Sequence, residues 1–152
     1  MKLRDAALPF KFDLDAFLAK THISGSTCTQ PSFVYILSCS RYYKVGIARD
    51  VRRRIEHLQS TCPLDINYVA HYEFDGIRYS LLCEKAAHQM LAKYNHRNEW
   101  FLAKKSVVLA AVDVACRATD ILKRKHDSIK RRPVNDNVAS HVFPYSPMAR
   151  AA

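Results

Sequence analysis

Three side chains able to act on a proton or an anion fall within twenty residues of one another: the phenol of Tyr35, the ammonium of Lys44 and the guanidinium of Arg54. Cations beside a phenol favour its ionised form. A lysine in such a place can hold an anion as a cation, or act as a base if its pKa is strongly lowered. Whether the three groups meet depends on the elements that carry them.

Those elements are legible in the stretch from Phe33 to Leu58. Phe33-Val34-Tyr35-Ile36-Leu37 and Tyr42-Tyr43-Lys44-Val45-Gly46-Ile47 are β-branched and aromatic runs separated only by Ser38 to Arg41, which predicts an antiparallel hairpin. Alternation of side chains puts Val34 and Ile36, with Tyr43, Val45 and Ile47, on a core face. Tyr35, Tyr42, Lys44 and the bare backbone of Gly46 are left on the other. Asp50 is an N-cap candidate for a helix whose Val51, Ile55 and Leu58 form a buried stripe. Arg54 lies nearest that stripe and can reach the sheet. Arg52 and Arg53 turn toward solvent, either as a solvated face or as contacts to an acidic partner.

Val34-Tyr35-Ile36, then Lys44-Val45-Gly46, then an arginine eight residues after that glycine, resembles the GIY-YIG nuclease superfamily. The resemblance is to the branch with a Lys-Ile-Gly second motif, described as meiotically up-regulated or bacteriophage open-reading-frame domains. Glu84 in a predicted helix and the run Asn98-Glu99-Trp100-Phe101 continue it, so that it covers about Phe33 to Phe101.

The resemblance implies an α+β fold, a small three-stranded antiparallel sheet flanked by helices, and hydrolysis of a nucleic-acid phosphodiester with one divalent metal, Mg²⁺ or Mn²⁺. It makes Tyr35, Lys44, Arg54, Glu84 and Asn98 the catalytic candidates. Glu84 is the metal ligand, which suits an ion that keeps several waters and takes one or two carboxylates. Arg54 would neutralise charge on the phosphate, and Tyr35 would take a proton from water, its phenolate favoured by Lys44, Arg54 and the metal. Lys44 replaces the tyrosine of the superfamily's second motif, and a cationic role suits it better than that of a base. Asn95 is the alternative to Asn98, and both also read as turn residues. His57 and His88 read as surface or packing histidines rather than catalytic ones.

The chain has 152 residues, 49% of them hydrophobic and only three glycine, so its middle is globular. A formal charge of +10 and a pI near 9.6 point to an acidic partner, nucleic acid first, with DNA ahead of RNA. Cys28, Cys39, Cys62, Cys83 and Cys116 show no CxxC pair or other metal-ligand spacing, so a zinc site is not expected. The odd, unpatterned set suits a reducing, intracellular setting. Neither a signal peptide nor a stretch long enough to span a bilayer is visible.

Four segments are expected: an N-terminal extension at 1–30, the catalytic domain at 31–103, an added helix at 104–126 and a basic, flexible tail at 127–152. Asp13 to Lys20 predicts a short helix packed on the domain, and Ser24-Gly25-Ser26-Thr27 a connector. Pro63 ends the arginine helix, Asp65 to Phe74 alternates as a third strand ended by Asp75-Gly76, and Tyr79 to Tyr94 reads as a helix buried along Cys83, Ala87, Met90 and Tyr94. Asn95 to Asn98 is expected to be a turn, with Trp100 and Phe101 returning to the core. Val107 to Lys125, capped by Ser106, predicts a further helix that docks on the domain or forms a homodimer interface. Its end is basic: Arg117 to Arg132 holds seven Lys or Arg against two Asp, so Lys123, Arg124, Lys125, Lys130, Arg131 and Arg132 join Arg52 and Arg53 as nucleic-acid-binding candidates.

Three functions compete on this sequence. One is a metal-dependent endonuclease, the second a nucleic-acid-binding module in which Lys44 marks lost catalysis, and the third a dimeric interaction protein. No membrane partner is expected.

Overall fold

The computed structural model describes residues 8–23 and 29–130. The expected connector at Ser24–Thr27, Cys28, Arg131, Arg132 and the tail beyond them lie outside the described residues, as does the side chain of Lys130.

The hairpin forms the centre of the fold. Strand β1, Ser32–Cys39, and strand β2, Tyr42–Ala48, pair antiparallel from Phe33↔Ala48 to Cys39↔Tyr42. Both strands run further than the apolar pattern predicts, and only Ser40 and Arg41 remain to turn the chain. Ser40 takes φ 54°, the positive value that a tight two-residue turn asks of its first position.

The five-stranded sheet corrects the expectation of three. Its order is β3-β1-β2-β5-β4, where β3 is Ile66–Phe74, β4 is Asn95–Arg97 and β5 is Trp100–Phe101. The two added strands are three and two residues long, too short to leave a period-2 signal. β5 pairs with β2 only at Tyr43↔Phe101 and Lys44↔Trp100. The edge of β2 from Val45 to Ala48 therefore has no strand partner on that side.

Helices cover both faces. α1, Leu14–Lys20, is capped by Asp13, whose side chain accepts from the Ala16 N–H. α2, Val51–Thr61, is capped by Asp50, which accepts from the Arg53 N–H at 2.9 Å, and it ends before Pro63. α3, Ile77–Met90, is followed by a 3₁₀ turn at Ala92–Tyr94. It is thus shorter than the predicted helix to Tyr94, and the next residues form β4 instead of a turn. α4, Lys105–Lys130, starts a residue before Ser106, with the Lys104 carbonyl accepting the first helical bonds. It also runs through 127–130, residues assigned above to the tail.

The core lies between the sheet and the α3–α4 pair. Val34, Ile36 and Val45 meet Cys83, Ala87 and Met90 of α3 and Val108, Ala111, Val112 and Ala115 of α4, with Phe10 closing one end. This is the core face that alternation predicts. The apolar stripe of Val108, Ala111, Val112 and Ala115 thus docks α4 on the domain. On the opposite face, α2 lies across β2 and β3. Val51, Ile55 and Leu58 are only half-buried there: the helix rests beside the sheet and does not sink its stripe into a core. Among the described residues, no helix is long and apolar enough to cross a membrane.

Candidate active site

Tyr35 and Gly46 are cross-strand partners, and the tyrosine ring lies directly over the glycine. A Cβ built at Gly46 would meet Tyr35 Oη at 2.5 Å and Cζ at 2.7 Å, so only a residue without a side chain lets the phenol occupy this position. From α2, Arg54 Nε donates to Tyr35 Oη at 3.3 Å, which is the reach its place on the helix predicts.

Tyr35 is 1% exposed, and burial pushes its phenol above the ordinary tyrosine value. The Arg54 hydrogen bond and charge oppose that, while the charges of Glu99 and Glu84 add to it. The expected bias toward phenolate is thus reversed. Arg54 pulls as predicted, but desolvation and two carboxylates outweigh it, and the resting group is the phenol.

Lys44 is 5% exposed, an unusual burial for an ammonium. It is paired with Glu99, and its Nζ lies 5.8 Å from the centroid of its cross-strand neighbour Trp100. Burial raises the Glu99 carboxyl, but the hydrogen bond and charge of Lys44, with the charges of His88 and Arg54, bring it below the usual range. Glu99 belongs to this group although spacing alone did not single it out. It sits in the two-residue turn Asn98-Glu99 between β4 and β5, where periodicity carries no information. The signals that could have found it are its place in the Glu-Trp-Phe run and the need of a buried lysine for a counter-charge.

The open edge of β2 is where α3 comes in. His88 Nε2 donates to the Val45 carbonyl at 2.8 Å, satisfying an acceptor that β5 is too short to reach, and the ring packs on Phe101 at 5.2 Å. Glu84 stands one helical turn earlier, close enough to feel the charges of His88, Glu99 and Lys44. It is half-buried, and burial raises its carboxyl above the ordinary value. Among the described residues it has neither a hydrogen bond nor an ion pair. Buried Tyr35 and Lys44 and partly exposed Arg54, Glu84 and Glu99 thus form one charged cluster.

The remaining candidates lie elsewhere. Asn98 is exposed at φ 51°, a backbone position that asparagine tolerates. Asn95 Nδ2 donates to the Asn98 carbonyl. Both serve the turn, and neither side chain touches the site. His57 is exposed on α2. Arg52 is exposed and paired with Glu56 at 3.2 Å, and Arg53 is exposed. Lys123 is paired with Asp75 and lies 5.6 Å from the Tyr79 ring, so two of the basic candidates, Arg52 and Lys123, already have a partner. Arg124 and Lys125 are exposed. Cys39 and Cys62, with Sγ atoms 3.8 Å apart, and Cys83 and Cys116, at 3.6 Å, are free thiols in two neighbouring pairs.

Among the described residues no group of three or more His, Cys, Asp and Glu is disposed to hold a metal ion. The residues do fit a hard divalent cation of the kind that keeps most of its waters. Glu84 offers a desolvated, unpartnered oxygen donor.

Searches of curated proteins and of solved structures gave no match. The T5orf172 domain matches residues 32–116, from the first residue of β1 into the middle of α4. That span holds Tyr35, Lys44, Arg54, Glu84 and Glu99. It also takes in the first half of α4, which the motifs alone left outside the domain. With more than half of its length matched, the chain belongs to the T5orf172 domain family, the bacteriophage open-reading-frame branch that its motifs resemble.

Proposed function

We propose that this chain is a metal-dependent endonuclease that hydrolyses nucleic-acid phosphodiester bonds, with DNA ahead of RNA as substrate. The observation that carries the reading is Glu84: a half-buried carboxylate without a protein partner, beside a tyrosine, an arginine and a buried lysine at the open edge of β2. Structural carboxylates in such surroundings are paired; one left unpaired fits a cation.

A magnesium or manganese ion held by Glu84 would act as a Lewis acid that stabilises the leaving oxygen. Arg54, whose guanidinium already reaches the phenol oxygen, neutralises charge that builds on the phosphate. Tyr35 orients the attacking water, and takes its proton only as the phenolate, once its own phenol proton has passed to solvent. Neutralising Glu84 and Glu99 removes two of the influences that hold it as a phenol. Lys44, in an ion pair with Glu99, serves as a fixed cation.

One observation favours a second reading, a binding module without turnover. Lys44 occupies the position of the superfamily's second tyrosine and is already neutralised by Glu99. The test is incubation of the parent and Glu84→Gln proteins with supercoiled plasmid, single-stranded DNA and RNA, in Mg²⁺ or Mn²⁺ against EDTA. Cleavage by the parent alone, abolished by EDTA, supports the nuclease. Equal metal-dependent cleavage by Glu84→Gln removes Glu84 from the site, and salt-sensitive retention of nucleic acid without cleavage supports the binding module.

A further inference from the structure

Beside the Lys44–Glu99 pair lies a concave feature to which the proposed chemistry assigns no role. A cleft of about 340 Å³ opens between the end of α2 and the β4–β5 hairpin, lined by Tyr42, His96, Arg97 and Trp100 over the apolar side chains of Leu58 and Ile66. The Tyr42 and His96 rings pack at 4.7 Å, 33° apart, and the Arg41 guanidinium is 5.5 Å from the Tyr42 centroid. Tyr42 and Trp100 are half-buried, and His96 and Arg97 are exposed. These rings are therefore not committed to the core, as Phe101 is.

What such a cleft takes follows from its walls. Three π-systems line it, the Tyr42 ring already packed on His96 and faced by Arg41, and Arg41 and Arg97 add positive charge next to them. The matching ligand is planar and π-faced and hangs from an anionic chain. The cleft is also continuous with the edge assigned above. Trp100 is the cross-strand partner of Lys44, and Tyr42 precedes Lys44 by two residues on the same face, about 7 Å along the strand. A nucleic-acid strand with a phosphate at Arg54 that runs past Lys44 along β2 has a base within reach of these rings. A base stacked inside a duplex keeps both faces covered, whereas an unpaired or flipped base exposes them.

We infer that the cleft of Tyr42, His96 and Trp100 receives one unstacked nucleobase of the bound strand, so that the substrate is a single-stranded or unpaired segment. This inference rests on the nuclease reading for the position of the phosphate. It concerns binding and is readable without turnover.

The experiment uses the full chain carrying Glu84→Gln and a short single-stranded DNA with one 2-aminopurine, whose fluorescence is quenched when it stacks on an aromatic ring. Binding with quenching is expected, and the fully paired duplex of the same sequence should bind more weakly. Tyr42→Leu and, separately, His96→Ala should each weaken single-strand binding about tenfold and reduce the quench. The exposed position of His96 keeps that variant folded, as a circular-dichroism melt would verify. Unchanged affinity and quench in both variants overturn the inference, as does equal binding of the duplex or failure to bind single strands at low salt. Plasmid cleavage by the parent separates the two claims. Stacking without metal-dependent cleavage supports the cleft against the nuclease, and cleavage with an unchanged quench in both variants overturns the cleft alone.

Discussion

The phenol of Tyr35 occupies the space that a side chain on Gly46 would fill: Oη stands 2.5 Å from where a Cβ would be. The two residues face each other across β1 and β2, so the position of the proposed base is set by the absence of a group on the neighbouring strand. Gly46→Ala is expected to turn the ring away and break its bond from Arg54. Overpacking at a buried site costs about 1–3 kcal/mol, and a catalytic group moved by about 1 Å costs roughly 100-fold in rate. Urea unfolding and plasmid nicking would measure both; a variant with parental nicking would show that the phenol's placement does not matter.

The Lys44–Glu99 pair predicts a specific pH dependence of stability. Although burial raises it, the Glu99 carboxyl is held below the usual carboxylate range, chiefly by Lys44. A depressed folded-state pKa contributes stability above the unfolded value, about 4.3 for Glu, and loses it as pH falls through the folded value. Glu99→Gln should therefore be less stable than the parent at pH 7. The deficit should be about 1 kcal/mol, because the Glu99 side chain is 44% exposed and screened by solvent. It should shrink below about pH 4. Urea melts at pH 7, 5 and 3.5 would check this, and a deficit independent of pH would contradict it.

Basic residues near the end of α4 should separate into two kinds. Lys123 is held by Asp75 and the Tyr79 ring, so Lys123→Ala is expected to lower stability by at most about 1 kcal/mol and to change nucleic-acid affinity little. Arg124 and Lys125 are exposed. Replacing both with alanine should leave the melt unchanged and flatten the plot of log affinity against log salt by about 0.7–0.9 for each phosphate that is no longer neutralised. A salt titration of the three proteins would show it, and identical slopes would remove this segment from the binding surface.

Local rules carried the centre of the molecule. Alternation in two short apolar runs assigned Tyr35, Lys44 and Gly46 to one face, and helical angle alone brought Arg54 to that face. Both follow from backbone period, which is independent of what packs on top. What period cannot report is counter-charge and burial depth. Glu99 lies in a two-residue turn, and its importance comes from a lysine 55 positions away. The direction of the Tyr35 shift likewise depended on how deeply α2 covers it, a tertiary quantity. Helical angle puts Glu84 at the border of the buried stripe, where it is half-buried, but its role as a metal ligand was legible only by resemblance.

The shortness of β5 has a consequence for solubility. A strand with free backbone groups along one side is a template on which another chain can add itself, and β2 presents such a side from Val45 to Ala48. His88 occupies its first free carbonyl, and Glu84 and Glu99 place two negative charges beside it. An incoming peptide strand would have to displace the imidazole and bury both carboxylates more deeply. The groups gathered at this edge thus also oppose edge-to-edge aggregation, and their joint replacement by apolar residues would expose the protein to it.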